Sequence, residues 1–297
     1  MTTYKKPDIK GYTNVLIKAD IDFLKLQIDL NNLTLIASTG IQKLIDDCES
    51  YIALDNETAF GYETLKPLLV LYSLTDSLKV LWMKGVTFGV QLSSMNSGDF
   101  EYGKLGVTGS NNFKDFELEI FTASQLNLYG VTATLPQHTA GNDIFYKNIE
   151  LQCKHPDTLT RVKLDGYLRD FQSSLNTNKN FGVLCIGSDD FLGFTETDFP
   201  EDDKKFVTAY MATIKKHDII FTEIFDDTLK YCPRVLGVII VNTHFTFSPK
   251  FGPILNKRVN SVFCIRPDAK TKPTEEIYRQ AYEVLTVFNS KPSIRTY

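Results

Sequence analysis

The segment Ile149-Glu150-Leu151-Gln152-Cys153-Lys154 holds the side chains whose types and spacing best suit chemistry. As a strand it puts Ile149, Leu151 and Cys153 on one apolar face and Glu150, Gln152 and Lys154 on the other, because successive side chains alternate. A polar strand face that ends in a lysine among acceptors is unusual for packing alone and marks a catalytic candidate. Asp143 lies nine positions before Gln152, at the start of the preceding strand. A tight turn at Lys147-Asn148 would fold it back toward Gln152 and Lys154. An acid, a second oxygen donor and an ammonium group together suit a hard cation. Mg²⁺ (or Mn²⁺) takes one or two carboxylates and completes its shell with water and phosphate oxygens. A lysine beside it can orient an attacking water or stabilise charge in a phosphoryl transition state.

The elements that must position these residues are readable around them. Residues 112–129 have the pattern of a helix, ended by Gly130. A short strand at 131–135 and a loop at 136–141 lead to strands at 143–146 and 149–153. A second amphipathic helix is predicted over 159–175, then a strand at 181–186 ended by Gly187. Further on, a helix is predicted at 203–216, partial strand at 218–225, buried strands at 235–241 and 259–265, and a closing helix at 275–288. The N-terminal hundred residues lean helical. The apolar positions of 21–30 have a mixed period. Ser38 or Thr39 can cap a helix through Leu54 with the stripe Ile41, Leu44, Ile45, Cys48, Ile52. A helix at 65–84 carries Pro67 in its first turn and a core stripe of Leu68, Leu71, Tyr72, Leu78, Leu81 and Trp82. Residues 93–112 are rich in Ser, Gly and Asn and mark loops or a junction. The expected organisation is a mostly helical N-terminal domain over 1–110 and an α/β domain over 111–297.

The run Phe116-Glu117-Leu118-Glu119-Ile120-Phe121-Thr122-Ala123, then Gly130, Asp143 and Gln152-Cys153-Lys154, resembles the PD-(D/E)xK, or restriction-endonuclease-like, nuclease superfamily. There a helix bearing a glutamate precedes a β-hairpin with Asp and (D/E)xK, followed by a core helix and a fourth strand. The resemblance covers residues 112–190, and its QxK ending is similar to Mrr-type restriction enzymes. It implies a mixed sheet flanked by helices and metal-dependent hydrolysis of phosphodiesters, most readily in DNA, in restriction, phage defence or repair. It also implies Asp143 as the principal metal ligand, Gln152 as a neutral oxygen ligand, Lys154 as the catalytic lysine and Glu119 as the helix carboxylate. Gln152 stands where an acid is more usual, which removes a negative charge. Glu119 can restore it, with Glu117 as its rival on the helix. Glu150, two residues along the same strand face, is a further candidate metal ligand.

Between Lys147 and Lys179 six basic residues face four acids. His155, Arg161, Lys163 and Arg169 are the candidate phosphate contacts. Net charge over the 297 residues is −4, so a nucleic-acid binder would have to use a local positive surface. Residues 189–203 hold seven acids and no Lys or Arg, which suggests a solvated loop. The five cysteines show no CxxC spacing and the four histidines no HxH or HExxH pattern, which argues against a disulfide framework and a zinc site. No apolar run approaches the roughly 18 residues of a membrane span, and the N-terminus lacks the apolar core of a secretory signal. A cytoplasmic protein is expected. P-loop, G-x-G-x-x-G and G-x-S-x-G motifs are absent. Two other readings remain: an inactive nuclease-like fold that binds nucleic acid or acts as a scaffold, with Gln152 as the sign of decay, and an interaction protein that forms homo-oligomers or binds a partner through its N-terminal helices.

Overall fold

A computed structural model describes residues 4–5, 12–37, 39–54, 59–60, 66–98, 113–137, 143–156, 160–187, 208, 227–248, 252–267 and 272–297. Four helices come first: α1 (Asn14–Leu30), α2 (Gly40–Ala53), α3 (Lys66–Met83) and α4 (Gly89–Ser97). A two-residue ribbon joins β1 (Tyr4–Lys5) to β2 (Ala59–Phe60). The rest is α/β: α5 (Phe113–Leu128), β3 (Ile144–Tyr146), β4 (Ile149–Lys154), α6 (Arg161–Asn178), β5 (Phe181–Gly187), β6 (Val235–Ser248), β7 (Gly252–Ile265), α7 (Glu275–Phe288) and β8 (Ser293–Thr296). Strands β3 to β8 form one mixed sheet in sequential order. β4, β5 and β6 run parallel, β3 and β7 run antiparallel to their neighbours β4 and β6, and β8 runs parallel to β7.

The two faces of the sheet carry different cores. Leu184, Ile186, Val238 and Ile240 pack against Leu164, Leu168, Phe171 and Leu175 of α6. On the other face Ile149, Leu151, Cys153, Val183, Cys185 and Ile239 join α5 and α7. This second cluster also takes in Ile17, Ile21, Leu24 and Ile28 of α1, Ile41, Leu44 and Ile45 of α2, and Leu71 and Leu78 of α3. The N-terminal helices therefore share one continuous core with the α/β part, through α3 and α4 packed on α5. The boundary expected near residue 111 is a change of layer and not a break in the core. Burying this much apolar side-chain surface together is the main stabilising term available to the chain.

Several expectations change in detail. The spacing in α1 resolves into a helical stripe of Ile17, Ile21, Leu24 and Ile28. Residues 93–97, expected as loop, belong to α4. The strand expected at 131–135 is reduced to one antiparallel bridge, Thr134 to Phe145, with N–H···O distances of 2.9 Å both ways. Tyr72 and Trp82 of the expected core stripe are 49% and 55% exposed and instead meet Tyr12 and Phe23 edge-on. β6 and β7 are longer than predicted, and β8 was not expected. The acidic stretch 189–203, most of the helix at 203–216 and the strand at 218–225 lie outside the described residues. All five cysteines are free and buried. Among the described residues no helix is long and apolar enough to cross a membrane.

Candidate functional site

The β3–β4 hairpin turns at Lys147-Asn148, with Lys147 at a φ of 51°, as a tight two-residue hairpin turn requires. Helix α7 braces that turn. Gln280 Oε1 accepts the Asn148 N–H at 3.2 Å, and the Tyr146 hydroxyl donates to Glu283 at 2.6 Å. Ile144 pairs with Leu151, so continuing the register by one residue sets Asp143 opposite Gln152. The Asp143 N–H donates to Leu151 O at 3.0 Å, and its Oδ2 accepts the Cys153 N–H at 2.6 Å. Asp143 thereby holds the backbone on both sides of Gln152 and stands just ahead of Lys154.

Glu119 lies on α5, the helix that covers the Ile149, Leu151 and Cys153 face of β4. It is buried (4% exposed) and its Oε2 accepts from Gln91 Nε2 of α4 at 3.2 Å. Burial pushes its carboxyl up to about 9, and the charges of Asp143 and Asp115 add to the rise; the Gln91 hydrogen bond and the Lys154 ammonium oppose it. Asp143 is pushed up to about 6, again chiefly by burial, against the Cys153 N–H and the Lys154 charge, with Asp115 adding to the rise. Glu119 and Asp143 thus lie in each other's electrostatic field and in that of Lys154. A desolvated acid pair beside one ammonium is the arrangement that shifts carboxyl groups upward. Glu117, the rival on α5, is also buried.

Gln152 contributes an acceptor. Its Oε1 is buried and has no hydrogen-bond partner among the described residues. A buried carbonyl oxygen left unpaired is costly unless a donor or cation meets it. Two carboxylates are hard donors of the kind Mg²⁺ or Mn²⁺ takes, but Gln152 is level with Leu184 and so faces α6, on the side of the sheet away from the Ile149, Leu151 and Cys153 face that α5 covers. Among the described residues no three His, Cys, Asp or Glu side chains gather into a metal cluster.

Two candidates are placed elsewhere. Glu150 is buried (3% exposed), and its carboxylate accepts from the amides of Asn180 and, at 3.4 Å, Asn178. Those residues lie at the C-terminal end of α6, while Lys154 is four residues away along β4, about 13 Å by strand rise. Glu150 ties α6 to the sheet and does not join the Asp143 group. His155 is also buried (6% exposed), and its backbone N–H donates to Asp115 Oδ1 at 2.5 Å. Its ring packs over Gly187, where an added Cβ would sit 2.2 Å from the imidazole. His155 is therefore a wall of the site and not a surface contact for phosphate.

Among the basic residues of α6, Arg161 pairs with Asp227 at 2.6 Å on the surface. The Lys163 N–H donates to the capping Thr160 hydroxyl at 3.3 Å. Arg161 and Arg169 line a groove of about 310 Å³ with Asp165, Asp227 and Tyr231. Gln91 and Asp115 were not singled out by sequence. Gln91 lies in a Gly- and Ser-containing stretch with no local signal, and Asp115 is one of several acids on α5.

Comparison of the chain with protein-family models, with curated proteins and with solved structures gives no match.

Proposed function

We propose that this protein is a metal-dependent nuclease of the restriction-endonuclease-like kind that hydrolyses phosphodiester bonds, with DNA as the favoured substrate. The observation that carries the proposal is the Asp143 carboxylate held by the Cys153 N–H, between Gln152 and Lys154 on the neighbouring strand, with the buried Glu119 of α5 close enough to feel its charge. The surrounding order supports it: helix, bridge, antiparallel hairpin, helix, and a strand parallel to β4. That is the order the sequence resemblance implies.

In this reading Asp143 and Glu119 hold Mg²⁺ or Mn²⁺, and Gln152, on the α6 face of β4, stands where a third ligand would have to reach round the strand. The ion, when bound, supplies Lewis acidity to the phosphate and lowers the pKa of a coordinated water. The Cys153 N–H fixes the Asp143 carboxylate, so one of its oxygens is already oriented. Gln91 does the same for Glu119. Lys154 places its ammonium where the attacking water and the charged phosphate must meet, and it offsets the charge that builds in the transition state. The neutral Gln152 leaves one negative charge fewer beside a phosphodiester, which lowers the repulsion the substrate must overcome.

A second reading, an inactive nucleic-acid-binding or scaffold protein on the same framework, is favoured by one observation: among the described residues no three His, Cys, Asp or Glu side chains gather to hold a metal, and burial raises the Glu119 carboxyl toward its neutral form. A group that never meets a cation would stay so. Incubating the protein with supercoiled plasmid and with linear single strands, with Mg²⁺ or with EDTA, separates the readings. Cleavage that needs Mg²⁺ and is lost in Lys154→Ala supports the nuclease. A protein that neither cleaves nor binds Mn²⁺ is the inactive one.

A further inference from the structure

β6 and β7 outrun the sheet. β5 last pairs with β6 at Gly187 and Val241, yet β6 continues to Ser248, paired step by step with β7 from Asn242–Arg258 to Ser248–Gly252. β8 meets β7 only from Val262 onward. Among the described residues, the strand positions 242–248 and 252–258 thus pair only with each other. Seven residues beyond Val241 is about 23 Å of ribbon at the rise of a strand. Its direction follows from the register. Lys154 is level with Ile186, and Ile186 with Ile240, in strands that run parallel. The ribbon therefore leaves the sheet at the end where Lys154 lies.

Composition sets this part of the chain apart. From Thr228 to Pro267 there is no Asp or Glu; Lys257 and Arg258 lie in the ribbon and Lys250 between its strands in sequence, whereas Lys230 and Arg234 precede β6 and Arg266 follows β7, at the other end of the two strands. The whole chain is net negative, at −4, so the acids lie elsewhere. Lys257 and Arg258 hold the first positions past the sheet, opposite Thr243 and Asn242. They are three strands across from β4, about 14 Å at the usual spacing. A two-stranded ribbon standing alone is marginal in water, and unpaired strand edges invite a partner.

We infer that the β6–β7 ribbon is an arm that grips double-stranded DNA beside the Lys154 end of the sheet, its register placing Lys257 and Arg258 at its base. The major groove, about 12 Å wide, admits a two-stranded ribbon, and the absence of acids along the arm suits a polyanion. This inference rests on the nuclease reading for its choice of partner, but binding is measured apart from cleavage.

The test is fluorescence anisotropy of a labelled 30-base-pair duplex with the full chain in EDTA, over a series of salt concentrations. The unchanged protein is expected to bind, and to bind less well as salt rises. The double variant K257E/R258E is expected to bind at least tenfold more weakly, and K257A/R258A, milder for folding, several-fold more weakly with a shallower salt dependence; both should melt as the unchanged chain does. Binding by K257A/R258A equal to that of the unchanged chain overturns the inference. So does an unchanged chain that ignores the duplex, or one whose ribbon drives self-association in size-exclusion chromatography without DNA binding. Asp143→Asn distinguishes the two proposals. It is expected to bind the duplex at least as well as the unchanged protein while failing to cut it. If it cuts, the nuclease reading falls and the arm is still judged by anisotropy.

Discussion

The Asp143 carboxylate accepts the backbone N–H of Cys153 at 2.6 Å, so the acid of one strand is locked to the residue between Gln152 and Lys154 on the next. An asparagine can still accept that N–H, whereas an alanine cannot. Asp143→Asn should keep the fold and lose Mn²⁺ binding, whereas Asp143→Ala should in addition cost about 1–2 kcal/mol for the unpaired N–H. Thermal melting and calorimetric Mn²⁺ titration of the two variants check this. Equal Mn²⁺ binding by Asp143→Asn and the unchanged protein would remove Asp143 from the ligand set.

The raised carboxyls make stability depend on pH in a stated direction. Burial holds the Glu119 carboxyl up to about 9 in the folded chain, against an ordinary value of 4.5, and that of Asp143 up to about 6, against 3.8. Across those windows the folded state binds more protons than the unfolded one. Their contribution is full at low pH and is lost as pH rises through the folded values. For one proton the slope is at most about 1.4 kcal/mol per pH unit. The metal-free protein should therefore melt at lower temperature as pH goes from about 5 to about 9, and Glu119→Gln should flatten that fall. A fall of the same size in Glu119→Gln would show that another group causes it.

The same protons must leave when a cation binds, because a carboxylate ligand is deprotonated. Mn²⁺ binding at neutral pH should release about one proton, and affinity should rise with pH until Glu119 titrates, near about 9. Calorimetry in buffers of different ionisation enthalpy counts that proton. A binding constant independent of pH would place the ion away from Glu119.

Gln91 orients Glu119 from a helix outside the α/β part. Replacing it with leucine leaves the burial but removes the donor. Mn²⁺ affinity or Mg²⁺-dependent cleavage should drop about 10–100-fold, as when a partner of a ligand is lost, while melting changes little. Unaltered metal affinity and cleavage would reduce the N-terminal helices to a packing layer.

Arg266 is 2% exposed, and its guanidinium donates to the carbonyls of Leu229, Cys232 and Val235 at 2.5, 3.1 and 3.3 Å. It pins the segment before β6 to the α6 face of the sheet. Arg266→Met removes these donors, while Leu229 O keeps the Cys232 N–H and Cys232 O the Val235 N–H, and should cost about 1–3 kcal/mol, measured by denaturant unfolding. A loss below about 0.5 kcal/mol, as for a surface change, would contradict that role.

What the sequence made legible is local. The alternation in β4, the turn at Lys147-Asn148 and the helix from Phe113 all appear in the structure, because each depends on residues within a few positions. The spacing of Asp143 and Lys154 was legible for the same reason. Glu119 and Glu117 are both buried, and the hydrogen bond from Gln91 of α4 to Glu119 depends on packing that no local pattern reports. Alternation put Glu150 beside Gln152 and Lys154, but it could not foresee Asn178 and Asn180 closing over it from the end of α6. Apolar stripes marked the inner faces of α1 to α3 without saying what those faces meet, so the helices read as a separate domain although they share the main core. In α4 the buried residues include Gln91, Ser94 and Asn96; polar side chains facing inward satisfy distant groups, such as Thr34 O for Asn96, and no periodicity of apolar residues reports them.

The most direct measurement is plasmid cleavage by Lys154→Ala beside the unchanged chain, in Mg²⁺ and in EDTA, with melting curves for both. The account predicts Mg²⁺-dependent cleavage by the unchanged chain, a loss of about 10²–10³-fold or more in the variant, and matching melting temperatures. Full cleavage by Lys154→Ala, or cleavage by the unchanged chain that persists in EDTA, would contradict it.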